Sequence, residues 1–352
     1  RVKTLHPKVH GGILARRGQD DEVMAQHGIA PIDLVVVNLY PFEATVARPD
    51  CSLEDAIENI DIGGPTMVRS SAKNHKWVTI VVNAGDYGRI LDEMQSNANV
   101  VSDQTRFELA LAAFEHTAHY DGAIANYLGS LKADGERTAF PRTFNTQFIK
   151  VQEMRYGENP HQEARLLGDP DLPCGCEQIH GKALSYNNLI DLDAALSLIH
   201  EFEGEQAVAI LKHTNPCGVA RVAQGGMQRA FESALACDPV SAFGGIVACA
   251  QEVDLDAAEA MAQIFLEVIV APGFTDAARA RLMRKKNLRL MIRRQSFDAT
   301  PRMCSVQHGL LVQDSDTGGE EARRNVSERS ATPEELAAME LAWKVCKHVK
   351  SN

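Results

Sequence analysis

Apolar runs alternate with segments of helical periodicity and predict two successive α/β units. The stretches 32–39 (IDLVVVNL) and 77–82 (WVTIVV) are continuous and rich in β-branched residues, which predicts strands buried on both faces of a parallel sheet. Between them, SLEDAIENI has helical spacing behind Ser52, a suitable N-cap residue. Apolar residues recurring at helical spacing predict a long helix over 103–131. This first unit is therefore doubly wound α/β.

A polar stretch at 132–148 separates this unit from a second one, also of α/β pattern. The polar composition of residues 313–331 predicts a flexible segment. We expect domains at 1–140 and 148–352. The second domain is predicted to contain strands at 207–211, 245–250, 267–270 and near 288–292, and helices at 191–202, 226–236, 256–265 and 333–349.

Charge and cysteine usage narrow the class of function. The 352 residues carry 36 Lys and Arg against 47 Asp and Glu, a net charge of −11, which argues against a general nucleic-acid binder because phosphates attract an excess of positive charge. The eight cysteines form no C-x-x-C pair, which indicates free thiols in a reducing compartment. No apolar run has the length of a membrane span. We expect a cytoplasmic protein with no nucleic-acid or membrane partner.

The ends of the chain suggest a fragment. It begins at Arg1 without a Met and ends at Asn352 directly after a helical pattern. We interpret it as part of a longer protein.

Three segments of the first unit could carry chemistry. The stretch 1–12 (RVKTLHPKVHGG) is dense in Lys, Arg and His, which suits an anion-binding loop or a solvated basic segment. Gly63-Gly64-Pro65 leads into a helix whose amides could hold a phosphate, with Lys73 further on, although tight turns use the same residues. Asn38 and Tyr40 stand at the end of the first strand, where open parallel sheets place ligands, although a tyrosine packed at a sheet edge is the alternative.

In the second unit the apolar run 207–211, interpreted as a parallel strand, stops at Lys212-His213. A turn that carries Asn215, Pro216 and Gly218 is expected to follow. A histidine at the end of the run suits general-base work, and a neighbouring ammonium would stabilise a developing oxyanion. The alternative is an ordinary histidine at a strand end. Arg155-Tyr156 precedes a rigid turn and could hold a phosphate or a planar ring, and small residues around Gly244 permit close backbone approach to a ligand.

Two further clusters favour structural interpretations. The stretch 279–294 (RARLMRKKNLRLMIRR) holds eight basic residues and is interpreted as a solvated face. His116 and His119 are interpreted as helix-surface residues because no third metal ligand lies near them in the sequence.

Taken in order, several segments together closely resemble one family. VKTLHPKVHGGILAR, NLYPF, IDIGGPTMVRSSAKNH, RYGENPHQ, LSYNNLIDLDAA, LKHTNPCG, DPVSAFGGIVA and EVIVAPGF resemble the bacterial form of the bifunctional purine-biosynthesis family AICAR formyltransferase/IMP cyclohydrolase. The resemblance covers almost the whole chain. It implies an N-terminal methylglyoxal-synthase-like parallel-sheet domain, truncated at its start. A cytidine-deaminase-like α/β formyltransferase domain follows, truncated at its end and without zinc.

For formyl transfer the resemblance implies a base and a cation. His213 takes the proton of the AICAR amine, Lys212 supports the transition state, and 10-formyltetrahydrofolate is the co-substrate. No catalytic metal is implied. Glu267 stands where some members have Asp. The residues that would contact nucleotide or folate are Arg155, Tyr156, Gly244, Glu267 and Asn352.

For ring closure of formyl-AICAR the resemblance implies a second site in the N-terminal domain. Lys73 is its proton-transfer residue and Asp61 orients the amide. Asn38 is a further candidate for substrate binding. Lys3 and Tyr40 complete the lining, and Arg1, Thr4 and Gly64 would bind the 5′-phosphate or the base. The family also suggests a homodimer with composite formyltransferase sites.

Two alternatives stay open at this point. A nucleotide-binding fragment without turnover is one, since the family has further functional residues beyond both ends of this chain. A zinc-dependent nucleobase deaminase is the other, suggested by the fold type and by Pro216-Cys217, but no deaminase-like set of three zinc ligands can be assembled from the sequence.

Overall fold

The computed structural model describes residues 4–168, 175–294, 301–318 and 324–350. The chain divides into two compact units, Arg1–Gln147 and Phe148–Asn352. Within the described residues no helix combines the length and the apolar character that crossing a membrane requires.

Unit 1 is built on a short parallel pair of strands, in which Val35 lies opposite Ile80. A 3₁₀ turn, Ala84–Asp86, follows the second strand. In chain order the elements are α1 (Pro7–Leu14), α2 (Asp21–Gln26), β1 (Leu34–Val36), α3 (Phe42–Val46), α4 (Leu53–Glu58), α5 (Gly63–Lys73), β2 (Thr79–Val81), α6 (Tyr87–Ser96) and α7 (Asp103–Gly129).

The predicted strands of unit 1 exist, but the expectation that both faces are buried is wrong for β1. Leu34 and Val36 are exposed, whereas every residue of β2 is buried. The reason is that helices cover only one face of β1 among the described residues: Val35 packs with Ile80, Val68 and Leu109. The predicted cap of α4 is confirmed, since the Ser52 hydroxyl accepts the amide of Asp55 in a reciprocal capping box.

Unit 2 is organised around a six-stranded mixed sheet of order β5-β10-β9-β8-β6-β7. Its elements are β3 (Ile149–Glu153), β4 (Arg165–Gly168), β5 (Cys176–His180), α8 (Tyr186–His200), β6 (Gln206–Lys212), β7 (Asn215–Val222), α9 (Gly226–Cys237), β8 (Ile246–Cys249), α10 (Leu255–Met261), β9 (Val268–Ala271), α11 (Asp276–Leu282), β10 (Arg289–Arg293), β11 (Arg302–Val306), β12 (Gly309–Gln313) and α12 (Pro333–Cys346). Strands β8, β9 and β10 are parallel, and β3–β4 and β11–β12 form separate antiparallel pairs.

Helices cover both faces of this sheet. Along β6, Val208 and Ile210 pack with Phe231 of α9, while Ala209 and Leu211 pack on the other face with residues of α8 such as Leu198. This alternation follows from successive side chains pointing to opposite faces of a strand. The continuous apolar run at 207–211 therefore predicted a doubly buried strand correctly.

The direction of β6 differs from the expectation of a parallel strand. It pairs antiparallel with both neighbours, β7 and β8. A connection of two residues, His213-Thr214, can only return the chain antiparallel, because parallel strands need a long crossover. The segment expected to be a turn is strand β7, which tolerates Pro216 because it lies at the sheet edge.

A consequence of this reversal is the location of the strand ends. Leu211, near the end of β6, lies opposite Ile246 at the start of β8, and Ile246 lies beside Val268 at the start of β9. The carboxyl end of β6 therefore meets the amino ends of the parallel strands.

Close packing of β7 on α9 yields a stability prediction. A Cβ on Gly218 would lie 1.9 Å from the Ala234 carbonyl oxygen, whereas a Cβ on Gly168 in β4 would meet nothing within 4 Å. We expect Gly218→Ala to lower the free energy of unfolding by about 1–3 kcal/mol through overpacking. Gly168→Ala should change it by less than about 0.5 kcal/mol. Urea denaturation of both variants checks this, and equal losses would contradict it.

Candidate functional site

Asp61 is the centre of a polar cluster in unit 1. Its Oδ1 accepts the backbone N–H of Gly64 at 2.9 Å, and its Oδ2 accepts that of Tyr40 at 3.4 Å. The backbone N–H of Asp61 in turn donates to the Tyr120 hydroxyl at 2.9 Å. One carboxylate thus joins the segment after β1 to the first turn of α5.

The start of α5 is packed too closely for side chains. A Cβ on Gly63 would lie 2.6 Å from Thr4 Oγ1, and one on Gly64 would lie 2.5 Å from Asp61 Oδ2. The N-cap residue, Ile62, supplies no side-chain hydrogen bond to the helix. The Gly64 N–H at this helix start is taken by Asp61, and Pro65 has no N–H, which leaves few backbone donors for an anion such as phosphate. The close approaches make the predicted residues Thr4, Asp61 and Gly64 neighbours.

Tyr120 was missed by sequence reasoning. It is buried on α7, and its hydroxyl donates to the carbonyl of Asn59 at 3.2 Å. Burial raises the pKa of Tyr120, and the negative charge of Asp61 adds to this while the Asp61 amide opposes it. The phenol therefore stays protonated near neutral pH. Its only sequence signal was a polar-tipped aromatic residue on the inner side of a long helix.

Tyr40 joins the Asp61 cluster through its backbone N–H, and the remaining predicted residues of this unit are not hydrogen-bonded to Asp61 within the described residues or lie outside them. Lys73 is exposed in the last turn of α5. Nine residues separate it from Gly64, which corresponds to about 13 Å along the helix axis. Asn38 and Tyr40 have exposed side chains after β1. Arg1 and Lys3 lie outside the described residues.

In unit 2, Lys212 and Asn215 pair across the β6–β7 ladder and enclose a two-residue turn. The central residues His213 and Thr214 have φ angles of +52° and +63°. Left-handed φ at both central positions is the requirement of a type I′ hairpin turn. The side chain of His213 is exposed at this reversal. The tight turn thereby presents the imidazole to solvent.

Several hydrogen bonds surround this turn. The Thr214 N–H donates to Asp191 Oδ1 at 2.8 Å, and the Thr214 hydroxyl donates to the His213 carbonyl at 2.6 Å. Asn215 Nδ2 also donates to the His213 carbonyl, at 3.3 Å, and Asn215 Oδ1 accepts the N–H of Lys350 at 3.0 Å. Asp191 and Lys350 were not among the predicted site residues, although Asp191 lies within the quoted LSYNNLIDLDAA segment.

Lys212 is anchored to the segment that precedes β8. Its Nζ donates to the Phe243 carbonyl at 2.9 Å. Gly244 follows with φ +76°, and its N–H donates to the Phe265 carbonyl at 2.8 Å. The Glu267 N–H then donates to the Gly245 carbonyl at 3.0 Å. The structure therefore brings the predicted residues Lys212, Gly244 and Glu267 together where β6 ends and β8 and β9 begin.

Cys217 lies half-buried near this turn. Burial raises the pKa of its thiol, and the charges of Asp238 and Asp191 raise it further, while Lys212 opposes them. The thiol is therefore neutral near pH 7 and is not an activated nucleophile.

Glu267 forms an ion pair with Arg289 at the start of β10. Arg289 is 8% exposed, and its Nε and Nη2 also donate to the Ala183 carbonyl at 3.2 Å. The interpretation of 279–294 as a solvated face is thus wrong at Arg289. The side chain of Glu267 keeps 35% of its surface exposed and can contact a ligand while paired.

The remaining predicted residues of unit 2 are not joined to the turn. Arg155 and Tyr156 lie in the loop between β3 and β4, with the Arg155 guanidinium 5.7 Å from the centroid of the Tyr156 ring. Within the described ranges no hydrogen bond links either residue to Lys212 or His213. Asn352 lies outside the described residues.

The histidine pair on α7 makes a local contact. His119 Nε2 lies 2.9 Å from the Glu43 carboxylate, and burial lowers the pKa of His116 with a further contribution from His119. In the portions of the chain that the structure describes, no three His, Cys, Asp or Glu side chains are grouped as metal ligands.

Comparison with known proteins gives two family matches. The family model described as AICARFT/IMPCHase bienzyme matches residues 71–352, which is most of the chain. The family model described as MGS-like domain matches residues 1–66. These two matches, the MGS-like domain first and the bienzyme family second, agree with the fold class that the sequence predicts for the chain. Among solved structures, the crystal structure of ForH is 36% identical over 39% of this chain and 69% of that chain, with a TM-score of 0.34.

The Glu267–Arg289 pair yields a stability prediction. We expect Glu267→Ala to lower the free energy of unfolding by about 2–3 kcal/mol, because it leaves a buried guanidinium without its counter-charge. The matched control is Glu259→Ala, which removes the partner of Arg281 in a pair whose carboxylate side chain is 51% exposed. That loss should stay below about 1 kcal/mol. Urea denaturation that shows equally small losses would contradict the prediction.

Proposed function

The chain belongs to the AICARFT/IMPCHase bienzyme family, and on this premise we propose that it performs the last two steps of IMP formation. The first step is formyl transfer from 10-formyltetrahydrofolate to AICAR. The second is dehydrative ring closure of formyl-AICAR to IMP. The observation that carries the proposal is the Lys212-His213 pair where β6 enters the turn: the imidazole is exposed, and the ammonium is anchored to the Phe243 carbonyl.

Formyl transfer needs a proton acceptor and a cation. The 5-amino group of AICAR is a weak nucleophile, because the neighbouring carboxamide and imidazole withdraw electron density. As this nitrogen bonds to the formyl carbon, His213 takes its proton. Lys212 stabilises the negative charge that develops on the formyl oxygen. The bond from the formyl carbon to the folate N10 then breaks, and N10 receives a proton. These two side chains supply the required chemistry without a metal.

Neighbouring residues support the binding of both substrates. The backbone around Gly244 lies beside Lys212, so a ligand at the turn meets it directly. Glu267 is fixed by Arg289 and retains exposed carboxylate surface for folate. Arg155, Tyr156 and Asn352 complete the proposed nucleotide and folate contacts.

Ring closure is proposed for the Asp61 cluster. The carboxamide nitrogen attacks the formyl carbon, and water is lost. Asp61 is held by Gly64 and can orient the amide, while Thr4 and the backbone at Gly64, where no side chain stands, can contact the phosphate or the base. The distance of Lys73 along α5 argues against direct contact with a ligand at Gly64. We retain Lys73 as proton-transfer candidate, with Lys3, Asn38, Tyr40 and Arg1 as further contacts.

On the resemblance we also propose a cytoplasmic homodimer with composite formyltransferase sites. Its partners are AICAR, formyl-AICAR and the folate. Neither nucleic acid nor a membrane takes part in the proposed reactions.

The first functional prediction concerns His213→Ala. We expect formyl transfer to fall at least 10²-fold, since the proton acceptor is removed, while ring closure of supplied formyl-AICAR stays nearly unchanged. Separate spectrophotometric assays of the two reactions measure this. The control is His308→Ala, which alters another exposed histidine of positive φ, in the β11–β12 hairpin, and should affect neither reaction.

Two results would count against this assignment. A parallel loss of both activities in a folded His213→Ala protein would show that the two sites are not in separate units. A wild-type chain that binds AICAR but forms no product would favour the non-catalytic fragment.

The reciprocal prediction concerns Asp61→Ala. Loss of the carboxylate should slow ring closure about 10²-fold through misplacement of the amide and of the start of α5, with formyl transfer unchanged. Asp33→Ala removes an exposed carboxylate of the same unit and is the control. Unaltered ring closure in Asp61→Ala would place the cyclisation site elsewhere.

A further inference from the structure

The turn that carries His213 has an unfavourable backbone. His213 and Thr214 both have left-handed φ, which carries an energetic penalty for an L-residue. The penalty is largest for a β-branched residue such as Thr. Turns of this type prefer Asn, Asp or Gly at these positions. The conformation therefore requires support from outside the turn.

That support comes from α8. The Asp191 carboxylate accepts the Thr214 N–H at 2.8 Å, a charge-assisted bond that is stronger than one to a neutral acceptor. The helix itself is firmly placed: its start has a capping box between Ser185 and Asn188, and Leu192, next to Asp191, is 1% exposed. A rigid element thus holds a fixed acceptor against the strained turn.

The other bonds of the turn cannot replace this one. The bonds from the Thr214 hydroxyl and the Asn215 amide to the His213 carbonyl lie within the hairpin and move with it. Lys212 and Asn215 are tied elsewhere, but they flank the turn. Among the described residues, the bond to Asp191 is the one that joins the central pair of the turn to another element.

We propose that Asp191 is a positioning residue for formyl transfer. It holds the His213–Thr214 turn in its left-handed conformation and thereby directs the imidazole toward the reacting amine. This inference rests on the proposed function of His213. Without Asp191 the turn relaxes to less strained angles and the imidazole moves. A displacement of about 1 Å at a reacting group can cost 10²-fold in rate.

The kinetic test compares variants on one helix. Asp191→Ala should lower kcat for formyl transfer about 10–100-fold, with the KM for AICAR changed by less than about threefold. Asp191→Asn keeps a side-chain oxygen that can accept the amide, so it should retain most of the activity. The control is Asp193→Ala, an exposed residue of α8 that lies two positions further on and therefore on a different side of the helix, and it should be unaffected.

A rescue experiment separates positioning from general structural damage. Glycine adopts left-handed φ without penalty, so Thr214→Gly added to Asp191→Ala should recover about tenfold in kcat. A purely structural or electrostatic loss at Asp191 would not respond to a glycine at the turn. Absence of recovery would overturn the inference.

A readout independent of activity completes the test. In the wild-type chain labelled with ¹⁵N-threonine, exchange of the Thr214 amide is followed by NMR. It should accelerate at least tenfold in Asp191→Ala but not in Asp193→Ala. Unchanged exchange, or faster exchange with undiminished kcat, would overturn the inference. If the wild-type chain transfers no formyl group, the proposed function fails, and amide exchange alone decides whether Asp191 holds the turn.

Discussion

The reversal of the chain at His213-Thr214 is the constraint on which the second unit depends. Strand β6 is covered by helices on both faces and paired on both edges, so its end cannot shift independently of the core. A two-residue connection forces β7 to return antiparallel along the outer edge. Lys212 therefore ends a strand that the core holds in place, while His213 lies in the two-residue turn to which the strain of the reversal is confined.

The same reversal determines which segments meet at the site. Because β6 runs against β8, its carboxyl end lies at the amino ends of β8, β9 and β10. Gly244, Glu267 and Arg289 all lie at or just before these amino ends. The usual location of ligands, beyond the carboxyl ends of parallel strands, therefore does not describe the position of His213. His213 does follow a strand end, but that strand is antiparallel to its neighbours.

Sequence reasoning succeeded where the physical signal is local. The apolar run at 207–211 predicts a buried strand because burial on both faces removes polar residues from every position. It failed where the deciding partner is distant in sequence. β7 is obscured by Pro216 and Gly218, which read as a turn unless the edge position is known. Arg289 is one of eight basic residues in its segment, and only its pairing with Glu267 distinguishes it from solvated neighbours. Asp191 is hydrogen-bonded to Thr214, which is 23 residues away in the sequence. Tyr120 is hydrogen-bonded to Asp61, which is 59 residues away.

Both candidate sites use one physical device. In each, a carboxylate from one segment accepts a backbone amide of another: Asp61 that of Gly64, and Asp191 that of Thr214. Such a bond fixes the backbone of the second segment, and the negative charge makes it stronger than a neutral bond. At Gly64 it orders the first turn of α5, and at Thr214 it holds a strained reversal. Asp191 therefore need not touch substrate to be required for turnover, because its contribution is the position of its neighbour, whereas Asp61 is proposed both to hold the start of α5 and to orient the amide.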